Sequence, residues 1–463
     1  MLFNSLTFLY LFLPVTFAVF WNLKTKDGRY RWLAVTGYFF YSLWNYKFCA
    51  LMAFSTAISY TAGLGLLRYE QPRLRKILLI VPITIDLALL GFFKYANMAF
   101  STGNQLSSLL HLPLNFPVLH IVLPVGISFY TFHTITYIVD SYKRTIRPTR
   151  NFFEFACYVS LFAQLVAGPI VRFREIEGDL KDIGHDDWRS GLNTGWSYFA
   201  IGLFKKVLIA DTIALIIDPR FALGAERFST AGAWLCMLGY SYQLYFDFSG
   251  YSDMAVGLGH MFGLRLPQNF NSPYKAESIA DFWRRWHISL SSFLRDYLYI
   301  PLGGGRGSRL QGYRNLMVTM LLGGLWHGAN WTFVIWGAYH GMLLSLNRFL
   351  GAPRLSFPPG LRRSGTFLLV VVGWVFFRSP TFGSALKVLG AMFSWRGYGV
   401  FPGWQALCLM IALAGAVAHF APNSFELKHQ WGRPAVVCFG ALFVLCMVVL
   451  YGGQQSPFLY FQF

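Results

Sequence analysis

Two histidines stand where an imidazole is expensive to keep. His327 lies in Leu325-Trp326-His327-Gly328, inside a stretch from Leu316 to Leu346 that carries no Asp, Glu, Lys or Arg and reads as two membrane-embedded helical segments. Burying a polar group without a partner costs roughly 2–7 kcal/mol on hydrocarbon scales, and an ionisable side chain in a membrane segment is a functional candidate by default. Neutral imidazole is the cheapest such group to bury and the usual general base near neutral pH. His287 lies forty positions earlier, in the polar aromatic run Asp281-Phe282-Trp283-Arg284-Arg285-Trp286-His287-Ile288-Ser289. Two histidines in such different settings suggest a site. The competing reading is helix packing, since a membrane histidine can serve as an interhelical hydrogen-bond donor.

The elements that must position these residues are helices in a bilayer. The 463 residues are 55% hydrophobic and 13% charged, about half the roughly 25% charged share of a soluble domain. Runs approaching the roughly 20 residues of a spanning helix cover Leu2 to Trp21, Ile77 to Phe93, Phe116 to Val139, Phe367 to Phe377 with its flanks, and Val436 to Tyr451. The expected architecture is all-α and polytopic, with about ten to twelve membrane helices in one integral domain, residues 1–463. The longest strongly polar window, Val171 to Arg189, is too short to enclose a soluble core. The first segment lacks a basic leader and a small-residue cleavage site, so it is expected to be a retained helix.

The net charge of +19 is arranged as topology, not as a nucleic-acid surface. Lys24, Lys26, Arg29 and Arg31 follow the first apolar run; Arg68, Arg73, Arg75 and Lys76 follow the third; Lys143, Arg144, Arg147 and Arg150 follow the fifth. Between them the loops carry Lys47 alone and, from Ala99 to Phe116, no Lys or Arg. Basic loops mark the cytoplasmic side, which puts the amino terminus outside; the same charge could meet anionic lipid. Arg306, Arg309 and Arg314 precede the His327 hairpin, and Arg348, Arg354, Arg362 and Arg363 follow it, so both hairpin ends are expected inside. Counting about 1.5 Å per helical residue from Arg314, His327 lies roughly 20 Å deep, near or past the midplane of a core about 30 Å thick. From Phe152 to Ile279 the path is less regular, with Lys205, Lys206 and Asp211 interrupting a hydrophobic segment that could be oblique, interfacial or cavity-lining.

Other features carry less chemistry. Six cysteines fall in or beside apolar segments without zinc-type spacing, so no metal is expected. Gly303-Gly304-Gly305-Arg306-Gly307 lacks the strand and helix that frame a phosphate cradle and reads as a flexible turn. Asp247 and Asp253 fit either a proton relay or a structural pair capped by Tyr or Ser, with the structural reading favoured; His260 and His340 read as structural. Arg284 and Arg285 could anchor a helix at the headgroups, pair with Asp281, or bind a coenzyme phosphate.

Three long segments then carry a family resemblance: Asp281 to Gly304 (DFWRRWHISLSSFLRDYLYIPLGG), Gln243 to Gly257 (QLYFDFSGYSDMAVG) and Leu325 to Gly341 (LWHGANWTFVIWGAYHG). They resemble the signature segments of the membrane-bound O-acyltransferases, alginate O-acetyltransferase branch, with a core at about 243–341. The likeness includes the opening MLFNSLTFLYLFLP and the closing Pro457-Phe458-Leu459-Tyr460-Phe461. It implies an all-helical membrane domain with oblique or re-entrant segments around a buried tunnel, an invariant histidine matching His327 and a second functional histidine matching His287. On that footing His327 is the base, and His287 orients the acceptor, donates to the developing oxyanion, or holds the thioester carbonyl. Asn330, three residues after His327 and so on a neighbouring helical face, is a weaker candidate for a polar contact in that site; Trp326, Arg284, Arg285 and Asp281 are further candidates for substrate contact. Arg306, Arg309 and Arg314, on the expected inner side and close in sequence to the hairpin, are candidates for the mouth that holds the phosphates of acetyl-coenzyme A, a donor substrate and not a bound cofactor.

The resemblance further implies a bacterial inner-membrane, multi-pass protein. It would deliver acetyl from the cytosol toward an exported polysaccharide such as alginate, through an extracytoplasmic SGNH-type acetyltransferase and the polymer-synthesis machinery, with membrane lipid around it and no nucleic acid. Two alternatives stand beside it. One is D-alanyl or other acyl transfer to a cell-wall polymer. The other is a proton-coupled transporter using the embedded His and Asp, against which stand the absence of an internal repeat and the gathering of polar signatures between Gln243 and His340.

Overall fold

The computed structural model describes residues 1–463 except 118, 120, 167, 186–187, 352–356, 430–431, 454–457 and 460–463. Arg354, Pro457, Tyr460 and Phe461 therefore lie outside the described residues. The described residues form helices joined by turns, without a strand among them. Together with the family to which the chain proves to belong, this makes it the all-α polytopic membrane protein that the composition predicts. The chain divides into two compact units, Met1–Trp196 with Ala255–Pro267, and Ser197–Met254 with Gln268–Phe463.

The first unit is built on Lys26–Asn45, Lys47–Arg68, Pro72–Leu109 and Ile127–Tyr142. Thr25 starts the first of these by accepting the Gly28 N–H at 3.1 Å, satisfying one of the donors that a helix start leaves open. Lys47–Arg68 and Pro72–Leu109 are long and apolar enough to cross a bilayer. The second presents Ile77, Ile80, Val81, Leu87 and Phe92 outward, a surface that suits lipid and not water. Its 38 residues span about 57 Å, more than the hydrocarbon core, so the uncharged stretch around Ser101 is a continuing helix and not the loop expected from its lack of charge. Asp86 in its middle is satisfied by the hydroxyls of Ser55 and Thr134, each at 2.7 Å.

One apolar run does not become a spanning helix. Among the described residues, the stretch read from Phe116 to Val139 is helical from Ile127, and that helix runs on to Tyr142. Pro113, Pro117 and Pro124 withhold backbone donors, and Gly126 takes a left-handed conformation, φ +76°, that fixes the start of the helix one residue later. Hydropathy alone could not distinguish the apolar loop from the helix.

In the second unit Pro359–Arg378 is a candidate span, with shorter apolar helices Phe382–Phe393, Trp404–Phe420 and Val436–Tyr451. The polar interruption at Lys205 and Lys206 is a π-helical turn, Lys205–Ala210, between Trp188–Phe204 and Asp211–Ala222. Lys206 Nζ lies 2.7 Å from Asp211 and 2.5 Å from Asp247, all three nearly fully buried. Lys205 lies 2.6 Å from Asp253, which also accepts from Ser424 at 2.8 Å. Asp247 and Asp253 are thus structural, but each is neutralised by a lysine and not by the capping hydroxyls alone. Such pairs are costly to break, about 3–5 kcal/mol when one partner is removed, so they fix the turn and the central helix Thr230–Met261 that carries both carboxylates.

Candidate active site

His327 is the last residue of helix Arg309–His327. Ser308 opens that helix, its hydroxyl accepting from Gln311 N at 3.2 Å while the Gln311 side chain accepts from Ser308 N at 3.1 Å. The chain leaves the helix at Gly328 in an extended conformation and re-enters one at Asn330, whose side chain accepts the Thr332 N–H at 3.1 Å. The two antiparallel helices, Arg309–His327 and Trp331–Leu350, approach through Gly324 and Gly337. A Cβ at either would come within 2.2–2.3 Å of a backbone carbonyl oxygen of the facing helix. Only glycine admits this approach, and it brings the aromatic residues of Trp331–Leu350 onto His327.

The His327 ring is boxed by Trp326, Trp336 and Phe377, with ring centres at 5.1, 5.0 and 5.3 Å and all three near edge-to-face. These rings cover the imidazole, which is 4% exposed, and a water-poor setting strengthens electrostatic interactions. Trp336 also meets His340 at 4.9 Å, and His340 Nδ1 accepts from Trp283 Nε1 at 3.3 Å. His340, read from sequence as structural, thus belongs to the same aromatic packing.

His287 reaches the same place from a break between the short helices Ile279–Arg285 and Ile288–Leu294. Its backbone is left-handed, φ +43° and ψ +56°, a region that costs a non-glycine residue about 1 kcal/mol or more and collects at functional sites. Paired backbone bonds hold it there: Asn271 N donates to Arg285 O and Ile288 N to Asn269 O, both at 2.9 Å. The His287 ring centre lies 6.3 Å from that of His327 and 5.9 Å from that of Trp326.

The partner that sets the state of His287 is Asn269, which sequence reading did not single out. Asn269 Oδ1 lies 3.2 Å from Ser289 N, 2.9 Å from Ser289 Oγ and 3.1 Å from His287 Nδ1. A backbone N–H can only donate, so the atom facing Ser289 N must be the amide oxygen; the other end, Nδ2, donates to Ser252 Oγ at 3.2 Å. An oxygen acceptor at Nδ1 requires Nδ1 to carry the proton. In the neutral ring Nε2 then carries the lone pair. Asn269 sits in the polar turn Gln268-Asn269-Phe270-Asn271, and nothing in its local spacing marks it; only the fold brings it to His287.

The remaining sequence candidates divide. Trp326 is in the site. Asn330 is not on a helical face shared with His327, because the helix ends before it; its oxygen caps the next helix and its Nδ2 donates to Pro380 O at 2.8 Å. Asn330 does line an open cleft of about 870 Å³ with Ala329, Phe333 and Phe377, so the cleft reaches the ring that packs on His327. Its charged rim includes Asp218 and Arg378, paired at 3.0 Å. Asp281 is committed to Arg285 at 3.0 Å and Arg284 at 3.6 Å, the intrahelical pairing weighed from sequence, with Arg284 pointing to the exterior. Arg306, Arg309 and Arg314 are exposed at the opposite end of the hairpin helix from His327. There the glycine turn is held by Asn315 Nδ2, which donates to the carbonyls of Leu302 and Gly304, both at 3.0 Å.

Comparison with known proteins gives the family. Residues 40–377 match the model of MBOAT, the membrane-bound O-acyltransferase family. The chain is 47% identical to the probable alginate O-acetylase AlgI of Pseudomonas aeruginosa over 88% of its length and 76% of that protein's. It is 46% identical to the protein of the same name from Azotobacter vinelandii, over the full length of both. It is 36% identical to the peptidoglycan O-acetyltransferase of Helicobacter pylori, over all of this chain and 98% of that one. The chain belongs to the membrane-bound O-acyltransferase family and is an O-acyltransferase.

Proposed function

We propose that this enzyme takes acetyl from acetyl-coenzyme A at the cytoplasmic face of the bacterial inner membrane and passes it outward for O-acetylation of an exported polysaccharide, alginate being the first candidate. One arrangement supports this above the rest. The rings of His287 and His327 lie 6.3 Å apart at the end of a helix whose other end, about 27 Å away by helical rise, carries Arg306, Arg309 and Arg314, while Phe377, which packs on His327, lines the cleft beside Asn330. Donor and acceptor can then approach from opposite ends. The similarity to two proteins named as alginate O-acetylases favours acetyl over D-alanyl transfer.

In the reaction, His327 removes the proton of the acceptor hydroxyl as its oxygen attacks the thioester carbonyl. The carbon–sulfur bond breaks, and the thiolate leaves and takes up the proton. With its proton on Nδ1, neutral His287 offers a lone pair at Nε2, so it accepts a hydrogen bond and does not donate to the oxyanion. An amide N–H of the donor's pantetheine arm, adjacent to the thioester, is a matching group. The arginines meet the coenzyme phosphates, for which forked guanidinium geometry is suited. The acceptor at the cleft is an extracytoplasmic SGNH-type transferase that carries the acetyl to the polymer.

The test is complementation. In an alginate producer lacking its own membrane subunit, this chain is expected to restore base-labile acetyl groups on the secreted polymer. Full expression in the membrane with no acetyl restored, or the appearance of D-alanyl esters on cell-wall polymer instead, would overturn the assignment.

A further inference from the structure

We propose that the segment carrying Phe458 and Leu459 is a positioning element of the histidine site, bracing the His287 ring through Phe248. The proposal rests on the acyl-transfer reading of His287 and His327 and assigns a cause for their alignment.

Phe458 and Leu459 are 1% and 3% exposed, and they are seated by a buried charge. Leu459 N donates to Asp247 Oδ2 at 3.0 Å, and Asp247 Oδ1 is held by Lys206 at 2.5 Å. A hydrogen bond to an ionised acceptor is roughly twice as strong as a neutral one, so the segment is fixed at one height along helix Thr230–Met261. The buried carboxylate is therefore an anchor. That height sets which rings meet. One turn beyond Asp247, Tyr251 stacks on Phe458 with centres 4.6 Å apart and planes 27° apart. Phe248, the residue after Asp247, meets Phe458 at 6.1 Å and His287 at 4.7 Å and 88°.

Phe248 thus lies in contact with both Phe458 and His287. The Asn269 bond holds His287 through Nδ1, and the rings of Phe248, Trp326 and Phe270 pack around the imidazole at 4.7, 5.9 and 6.4 Å. Of these three, the edge-to-face contact with Phe248 is the shortest and bears most directly on the ring plane and hence on the direction of Nε2. Without the Phe458 ring, Phe248 gains room to withdraw from the imidazole. Orientation matters here because a displacement of about 1 Å in a reacting group can cost on the order of 10²-fold in rate.

The experiment uses the full chain in liposomes with acetyl-coenzyme A and the extracytoplasmic transferase proposed as acceptor, following coenzyme A thiol release, and polymer acetylation in cells. Wild type and His327→Ala are compared first. If wild type is inactive or His327→Ala is as active as wild type, the acyl-transfer reading fails, independently of Phe458. With that reading standing, Phe458→Ala is expected to raise the donor KM and lower kcat/KM by about tenfold or more, in the same direction as His287→Ala. Phe458→Leu, which keeps bulk behind Phe248, is expected to recover most of that loss. An unchanged donor KM in Phe458→Ala, or a loss confined to kcat, would overturn the proposal. Should Phe458→Ala fail to accumulate, Leu459→Pro removes the N–H given to Asp247 and is read in the same assay: a raised donor KM supports the anchor, and an unchanged one overturns it.

Discussion

The rings of His287 and His327 stand with their centres 6.3 Å apart and their planes 59° from parallel. That is wider than two directly bonded imidazoles require and narrow enough for one bound substrate to touch both. Trp326 contacts each of them, so the pair is held as a unit even though the two residues come from different helical breaks.

Asn269 should matter through its oxygen. Asn269→Ala leaves the buried Ser289 N–H without its acceptor, at about 1–3 kcal/mol, and frees His287 to exchange tautomers. Acetyl transfer is expected to fall by roughly 10²-fold, in line with the cost of a misoriented catalytic group. Asn269→Asp keeps an acceptor toward Nδ1 and should retain most of the activity. Equal loss in both variants would remove the tautomer argument, and the comparison needs only acetylation rates at matched membrane abundance.

His287 and His327 should separate kinetically. If His287 Nε2 holds the donor arm, His287→Ala raises the KM for acetyl-coenzyme A by more than His327→Ala does, and His287→Gln, which retains an acceptor, is milder than His287→Ala. A His287→Ala defect wholly in kcat would transfer the proton-abstraction step to His287.

How much of this was legible in the sequence depended on the range of the interaction. His327 stood out because an imidazole among apolar residues is costly wherever the chain goes, His287 because a signature-like segment carries it, and the helical character followed from composition. Asn269 did not stand out, because an asparagine in a polar turn is unremarkable until the fold brings Ser289 and His287 to its oxygen. Lys206 was visible as an interruption, but its two aspartates lie 5 and 41 positions away, and spacing cannot pair them. Asn330 was placed on the face of His327 by helical periodicity, which the extended Gly328 breaks. Arg284 and Arg285 went the other way: pairing with Asp281 was one of three local alternatives, and the structure shows that pairing, at 3.6 and 3.0 Å.

The arginines at the far end of the hairpin helix supply a test of the donor's path. Arg309→Glu with Arg314→Glu is expected to weaken binding of acetyl-coenzyme A to the purified protein by about tenfold or more, since each lost phosphate contact of this kind is worth about 1.5–3 kcal/mol, without changing membrane insertion. Unchanged affinity would confine these residues to orienting the chain and meeting lipid.

Topology follows from the same charges. Ser101 and Thr145 are both exposed. A cysteine at Ser101 should react with an impermeant thiol reagent in intact cells and one at Thr145 should not, if the basic loop Lys143–Arg150 lies inside as the charge rule expects. The reverse labelling pattern would put the donor side outside.

The central claim is that His327 performs the proton transfer, and it is tested most directly by acetyl transfer from acetyl-coenzyme A by the full-length His327→Ala protein in liposomes, at membrane abundance and thermal stability equal to wild type. The predicted result is a loss of about 10²–10⁴-fold in kcat, the usual worth of a general base; transfer at a near-normal rate would contradict it.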